Sequence, residues 1–302
     1  MTDQSSDIRL PMMNGVTASK VFLDGNTPAQ TIYAYLCQQF PHISKEEWQQ
    51  RFNDGLVYSH LGEVLALDAV FTPNQHAYYY RFLAHEIHVP FQHQILFENE
   101  NLLVVDKPHF LTMSPTGKYI QETLLVRLKK ATNNPDLTPI HRLDRETAGV
   151  VLFAKTVSAR AAYQQMFAER KVEKTYHAIA PLKTDLQFPL TTAYRMEKGE
   201  PFYTMKVVDG TINSTTSINL LEQKGNLAKY LLKPITGKQH QLRVHLSQLG
   251  MAILNDPFYP SVQHKADDDF SAPLQLLAKS IEFIDPITEV NMHFNSTFEL
   301  TL

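Results

Sequence analysis

The sequence predicts an α+β protein, with a small N-terminal module ahead of a larger domain in which helices pack on a sheet. Three observations lead there. Short apolar runs rich in β-branched residues, Leu102-Leu103-Val104-Val105 and Val150-Val151-Leu152-Phe153-Ala154 among them, have the length of strands and are bounded by turn residues. From Pro181 to about Gly225, β-type runs alternate with turns such as Glu197-Lys198-Gly199 and Val208-Asp209-Gly210-Thr211, which predicts antiparallel strands. Helical periodicity is confined to a few segments; Ala159, Ala162, Tyr163, Met166 and Phe167 recur at i, i+3, i+4, i+7 and i+8, as on a helix that packs one face on a sheet.

Composition sets the bounds. A chain of 302 residues, 43% hydrophobic and 20% charged, is globular rather than disordered or fibrous and can hold two domains. No apolar run approaches the roughly 20 residues of a membrane span, and Met1-Thr2-Asp3-Gln4-Ser5-Ser6-Asp7 lacks the basic and apolar regions of a signal peptide, so a cytoplasmic protein without a membrane partner is expected. The single Cys37 excludes an intramolecular disulfide and a cysteine zinc site; it is expected in the core. A net charge of -3 argues against a broadly basic nucleic-acid binder. The distribution reverses that reading. Residues 1–90 carry 5 basic and 9 acidic side chains, whereas 117–183 carry 12 basic against 6 acidic.

Taken in order, residues 1–18 have no periodicity and are expected to be a flexible tail or an edge strand. Residues 19–90 form the small module. After Thr27-Pro28, the residues Ile32, Tyr35, Leu36 and Phe40 mark an amphipathic helix; Ser44-Lys45-Glu46-Glu47 gives a capping-box start to a second, through Trp48 and Phe52, which Asn53-Asp54-Gly55 ends. Leu56-Val57-Tyr58 and Ala77 to Phe82 are short strands. Ala84 to Phe91 is the linker to a domain over 91–302. There Gln94 to Lys107 reads as strand, turn and strand stopped by Pro108, and Gln121 to Lys130 as a helix. In the strand Val172 to Ala180, alternation puts Lys174 and Tyr176 on one face. Leu227 to Leu232 is another strand. The glycine of Thr236-Gly237 precedes a helix whose buried stripe is Leu242, Leu246 and Leu249, which leaves His240, Arg243 and Ser247 on the opposite, exposed side. His240 and His245 stand roughly 140° apart on that helix, so no metal site is expected from them. Leu274 to Phe283 and Met292-His293-Phe294 are closing strands.

The chemistry concentrates in His141-Arg142-Leu143-Asp144-Arg145-Glu146-Thr147-Ala148-Gly149, a polar loop delivering the chain into the strand at Val150. Two arginines flank Asp144. Opposite charge nearby favours the ionised carboxylate, by roughly one to three pKa units in a strong case, which suits a charged nucleophile or base. By itself an Asp-Arg pair more often belongs to a structural ion-pair network beside a strand, so its partners decide.

H-R-L-D-R-x-T-x-G before an apolar strand resembles the catalytic motif of the RluA family of pseudouridine synthases. Lys174-Thr175-Tyr176 resembles that family's K-x-Y strand, and Leu232 to His245, reading Leu-Lys-Pro-Ile-Thr-Gly-Lys-Gln-His-Gln-Leu-Arg-Val-His, resembles its late block. The three fall in order over about 110 residues. The resemblance implies a catalytic domain on a mixed, mainly antiparallel sheet flanked by helices. It implies an RNA uridine isomerase without cofactor or metal, acting on structured RNA such as a tRNA or 23S rRNA stem-loop, and a monomer is expected. Residues 19–90 resemble an S4-like module, although they are acidic where S4 helices are usually basic; RNA binding and simple packing both remain open for them.

The resemblance also assigns residues. Asp144 would be the essential carboxylate, by attack on C1′ or by abstraction of a ribose proton. Arg243 would pair with it, and Tyr176 would stack on the base and take part in removing the C5 proton. Arg142 would enter the RNA helix as the target leaves it, with Arg145, Lys174, His141, Lys238 and His240 as further RNA contacts. The sequence departs from the family pattern at Phe110 and Asn255, where glycine is usual, at Met113-Ser114, where Val-His is common, and at Leu277, where histidine is usual. A glycoside hydrolase would need two carboxylates across the scissile bond, and the basic motif offers one. A catalytically silent RNA-binding protein would keep the cations and lose Asp144.

Overall fold

The computed structural model describes residues 8–81, 83 and 85–302. Residues 1–7 of the expected tail, Phe82 at the end of the expected 77–82 strand and Ala84 at the head of the expected linker lie outside the described residues. The chain divides into two compact units that are not cut at a single point. The first takes the described residues up to Glu86 together with Pro115–Gln121 and Val126–Pro135, and the second takes the rest.

In the first unit, β1 (Ser19–Phe22), α1 (Ile32–Gln39), α2 (Lys45–Asn53), β2 (Val57–Tyr58) and β3 (His76–Tyr79) follow one another, and the strands pair antiparallel in the order β1-β3-β2. Both helix starts are capped as their sequences require. The Thr31 hydroxyl accepts from the Ala34 N–H at 3.1 Å, and Ser44 and Glu47 exchange both bonds of a capping box at 3.1 Å. Tyr35, Leu36, Trp48 and Val57 form the core. Cys37 is half-buried at its margin and not inside it, because the buried stripe of so short a helix is already filled by Ile32, Tyr35 and Leu36.

The second unit begins with β4 (Gln94–Glu98) and β5 (Leu102–Lys107); of α3 (Leu124–Thr132) it takes only Leu124 and Leu125, the rest counting with the first unit, and from Asp136 it continues through β6 (Thr138–Pro139), β7 (Ala148–Ala154), α4 (Val157–Ala168), β8 (Val172–Pro181), β9 (Leu190–Lys198), β10 (Met205–Val208), β11 (Ser214–Lys224), β12 (Leu227–Pro234), α5 (Gln241–Gln248), β13 (Leu276–Ile284) and β14 (Asn291–Asn295). Among the described residues the strands form one eleven-stranded sheet, ordered β10-β9-β11-β12-β8-β13-β7-β5-β4, with β14 on β13 and β6 on β7. The sheet is mixed: β13 runs parallel to β7, and the other pairs are antiparallel. Every residue of β5 and β7 is buried, which is why these two runs read as continuous apolar stretches without alternation. Ala159, Tyr163 and Met166 of α4 pack on that part of the sheet.

Two expectations need correction here. The helix expected from Gln121 starts at Leu124, because Thr123 bridges to Thr112 and the Leu124 N–H bonds Thr112 O at 2.8 Å; the segment before it is spent on pairing. The side of α5 expected to face solvent is buried as well. Gln241 through Leu246 are all buried, with Arg243 at 1% exposure. Leu242 and Leu246 face the core around β8 and β12, while Val244 packs with Met196 and Tyr259 on the other side. Periodicity missed this because a buried, fully paired arginine looks like a surface residue in a hydrophobicity pattern.

The glycine that closes the sequence motif is fixed by this topology. Gly149 has φ +116°, and a Cβ added there would lie 2.2 Å from the Ala278 carbonyl oxygen, on the neighbouring parallel strand β13. Only a residue without a side chain lets β7 and β13 approach. Gly149→Ala is therefore expected to lower stability by about 2–4 kcal/mol, read as a reduced urea midpoint with an unchanged m-value.

Candidate active site

Asp144 stands in the loop that leads into β7. The loop is anchored from below by Lys107, at the end of β5, whose side chain is wholly buried. Its Nζ donates to the carbonyls of Pro108 at 3.0 Å, Leu111 at 2.9 Å and Arg145 at 3.2 Å, so one lysine ties the Pro108–Leu111 turn to the peptide next to Asp144. Burial pulls its ammonium down to about 7, against the pull of Glu146 and Asp144.

Arg243 reaches the same point from α5. Its Nε and Nη2 donate to the two oxygens of Asp256 at 2.8 and 2.7 Å, a bidentate pair in which Asp256 is also buried, and its Nη1 donates to Asp144 Oδ2 at 3.1 Å. Glu146 Oε2 lies 3.9 Å from the same Nη1. Asp256 further accepts the N–H groups of Phe258 at 2.8 Å and Tyr259 at 3.2 Å, so the clamp is rigid from both ends. Burial alone would raise the Asp144 carboxyl, but Arg243, His240 and Arg142 outweigh it and hold the group below the usual carboxylate range. Asp144 is ionised at neutral pH.

The residue before α5, His240, takes a left-handed backbone, φ +54°. Its Nδ1 lies 2.8 Å from the Tyr259 hydroxyl, which accepts the Met205 N–H at 2.8 Å and so has its own hydrogen free to donate to His240. Its Nε2 faces Asp144 Oδ1 at 3.7 Å. Burial pushes His240 down to about 4, so the ring is neutral at neutral pH. The loop ahead of it is locked by Gln241, whose Oε1 accepts from Thr236 Oγ1 at 2.7 Å and Lys238 N at 3.1 Å, while its Nε2 donates to Thr215 O at 2.9 Å.

These groups open into one cleft of about 1060 Å³, which is lined by Asp144, Arg142, His141, Lys174, Tyr176, Lys238, His240 and Arg243 among others. Lys174 and Tyr176 line it from β8, on the shared face that strand alternation requires. Burial, reinforced by the Asp144 charge, pushes the Tyr176 hydroxyl well above the ordinary tyrosine range, so it is a neutral phenol. The result is one ionised carboxylate beside an aromatic ring, within a depression large enough for a nucleotide.

The chain from 101 to 248 matches the family model described as RNA pseudouridylate synthase. Over 209 residues it is 31% identical to the dual-specificity RNA pseudouridine synthase RluA of Salmonella typhi, a match that covers 66% of this chain and 90% of that protein. The chain belongs to the RluA family of pseudouridine synthases. It is also 34% identical over 176 residues to human pseudouridylate synthase RPUSD2, covering 56% of this chain but spanning only 31% of that protein. The solved structure of human RNA pseudouridylate synthase domain containing 1 superimposes with a TM-score of 0.57 at 25% identity, over 71% of this chain and 86% of that one.

Set within the family, eight of the nine residues singled out from sequence line the one cleft. Arg145 does not. Its Nη2 donates to Asp267 O at 3.0 Å, its guanidinium lies 5.6 Å from the Phe110 ring centroid, and it pairs with Glu146 at 3.5 Å, so it ties loops together behind the site. His141 has a structural bond as well: its Nε2 accepts the Leu152 N–H at 3.2 Å, and its ring stacks on Phe167 at 4.6 Å. The sequence reading missed Asp256, Tyr259, Gln241 and Lys107. Asp256 and Tyr259 sit in Ile253-Leu254-Asn255-Asp256-Pro257-Phe258-Tyr259, a turn visible by resemblance, but nothing local says that its acid reaches back to Arg243. Among the described residues, no group of three or more His, Cys, Asp or Glu is placed to hold a metal, and no helix is long and apolar enough to cross a membrane. His245 Nε2 bonds Ser214 Oγ at 2.9 Å, away from His240.

The coupling of Asp144 to Arg243 is directly measurable. In a carbon-13 NMR titration the Asp144 carboxyl is expected to titrate below the ordinary aspartate value, and Arg243→Gln to raise that midpoint. An unchanged midpoint would remove Arg243 as the ionising partner.

Proposed function

We propose that this chain isomerises a uridine within structured RNA to pseudouridine. The observation that carries the reading is the ionised Asp144, held by Arg243 in the cleft it shares with Tyr176. The reaction breaks the bond from uracil N1 to ribose C1′, turns the base and joins C1′ to C5; C5 then loses a proton and N1 gains one. Both routes to the first cleavage, attack of the carboxylate on C1′ and removal of a ribose proton to give a glycal, need Asp144 charged. Tyr176 presents its ring to the base as a neutral phenol, and it accepts the C5 proton only if its own proton is handed on.

A stacked uridine hides its glycosidic bond, so the target must leave the helix, which costs a few kcal/mol and least in a loop or bulge. Arg142 is exposed at the cleft, and its side chain has no ion pair or hydrogen bond among the described residues. It would fill the place the base vacates, while Lys174, Lys238 and neutral His141 and His240 contact backbone and base edges. The bacterial relative is named as a dual-specificity RNA pseudouridine synthase, which supports an RNA substrate; that this RNA is a tRNA or 23S rRNA stem-loop rests on the resemblance of the motifs. We assign the chemistry to residues 91–302 and give 19–90 an S4-like accessory role. A single cysteine supports work in a reducing compartment, the cytoplasm, and we take the protein as a monomer.

The test incubates the full chain with total RNA from a strain lacking it and maps pseudouridine chemically. Wild type is expected to convert one or a few uridines, and Asp144→Asn to lower the rate by at least about 10³-fold. No conversion by wild type, or conversion persisting in Asp144→Asn, overturns the reading.

The pH profile follows from the same group. Because its pKa is lowered, the active carboxylate persists above the folded value and is lost only as pH falls through it. The acid limb of kcat/KM should fall below the ordinary aspartate range, and Arg243→Gln should move that limb upward.

A further inference from the structure

Two isoleucines at the cleft have no place in the chemistry above. Ile212 is 60% exposed and Ile235 is 55% exposed, and both line the cleft. Singly exposed aliphatic residues are ordinary; a pair at the mouth of a polar site is not. Both flank the same end of the β11–β12 pair. Ile212 stands two residues before β11 and Ile235 directly after β12, at the end where Thr216 pairs with Pro234.

Both stand on fixed backbone. The Ile235 N–H donates to Thr215 O at 3.0 Å, and Thr236 Oγ1 accepts the Thr215 N–H at 2.9 Å. Asn213, next to Ile212, exchanges two bonds with the Met196 backbone, at 2.9 and 3.0 Å. The shelf is therefore built before any ligand arrives, and no ordering entropy is spent on it.

Its surroundings say what it fits. Arg170, Lys174, Lys233 and Lys238 line the same cleft. No side-chain ion pair or hydrogen bond engages Arg170, Lys174 or Lys238 among the described residues, and Lys233 has one pair, 3.6 Å to Glu173, between exposed side chains. Cations alone would suit phosphates. Apolar surface set among them suits a ligand that alternates anionic phosphates with flat apolar faces, which is single-stranded nucleic acid. In a duplex those faces are covered by stacking.

We propose that Ile212 and Ile235 form an apolar shelf that receives the face of an unpaired base neighbouring the target uridine, with Lys174, Lys233 and Lys238 on the adjoining phosphates. This rests on the reading of the chain as an RNA uridine isomerase and narrows its substrate to a loop whose neighbouring base is unstacked. The shelf contributes binding, not chemistry, and so acts on KM.

The test measures binding of the full chain, by fluorescence anisotropy, to three labelled RNAs sharing one stem: an all-uridine loop, the same loop of abasic ribose, and a blunt duplex. The double variant Ile212→Ala, Ile235→Ala is compared with wild type after their melting temperatures are shown to agree, as expected for exposed side chains. Wild type should bind the uridine loop tighter than the abasic loop, and the variant should lose about tenfold on the uridine loop alone. Equal affinities of variant and wild type, or the same loss on all three RNAs, overturn the shelf. Concentration-dependent self-association of wild type that the variant lacks assigns the surface to a second copy and overturns it too. Absence of uridine conversion would sink the catalytic reading without changing these affinities, so the two failures are told apart.

Discussion

One buried guanidinium organises the site. Arg243 sits between two carboxylates that come from distant parts of the chain, Asp144 ahead of β7 and Asp256 after α5. Asp256 takes two of its nitrogens in a closed bidentate pair and is itself saturated by backbone N–H groups. Arg243 is thus fixed in place whatever happens at Asp144, and its remaining nitrogen can only face the cleft. Burying an arginine without such a partner would cost several kcal/mol. The rings of Phe258 and Tyr259, at 4.8 and 5.4 Å, cover the guanidinium where water would otherwise stand. The motif loop is therefore positioned by a structure that does not include Asp144.

The departures from the family pattern keep the backbone that glycine would have given. Asn255 has φ +64°, an angle that asparagine tolerates, and its side chain bonds Pro273 O at 3.0 Å. Phe110 has φ +66°, where a bulky residue is strained by about 1–2 kcal/mol. Its ring offsets that strain through contacts glycine could not make, with Phe91 at 5.8 Å, Phe270 at 5.3 Å and the Arg145 guanidinium above it. Since Arg145 also holds Asp267, the substituted residue links the loop near Asp267 to the motif loop. That explains why Arg145, the second arginine of the motif, turns away from the cleft in this chain.

What the sequence made legible follows from how local each signal is. Strands β5 and β7 and the capped helices α1 and α2 are written in contiguous residues, through apolar runs and hydroxyl-carboxylate spacing, and they stand close to where they were read. Strand β1 was not legible: Ser19–Phe22 is four residues long and gains its meaning from Tyr79 and its neighbours, some sixty residues on. The same limit hid Asp256 behind Arg243 and Lys107 beneath Arg145, because a long-range polar pair leaves no periodic trace. Asp144, Tyr176 and Arg243 stand out as candidates only because three ordered motifs speak together; composition, with its net charge of -3, points away from RNA.

The charges resolve that last contradiction. Within the site, Arg243 is neutralised by Asp256 and shared with Asp144, and both His240 and His141 are driven neutral by burial, to about 4 and about 3. The centre therefore carries almost no net positive charge, and the free cations Arg142, Arg170, Lys174 and Lys238 stand around it on the cleft lining. On the proposed reading, a phosphate backbone would be drawn to that ring, where salt screens it strongly, while the carboxylate inside would meet only a neutral base and ribose. If the cations converged on Asp144 instead, they would bind phosphate there and exclude the uridine; an acidic chain with a basic ring and a neutral centre avoids that competition.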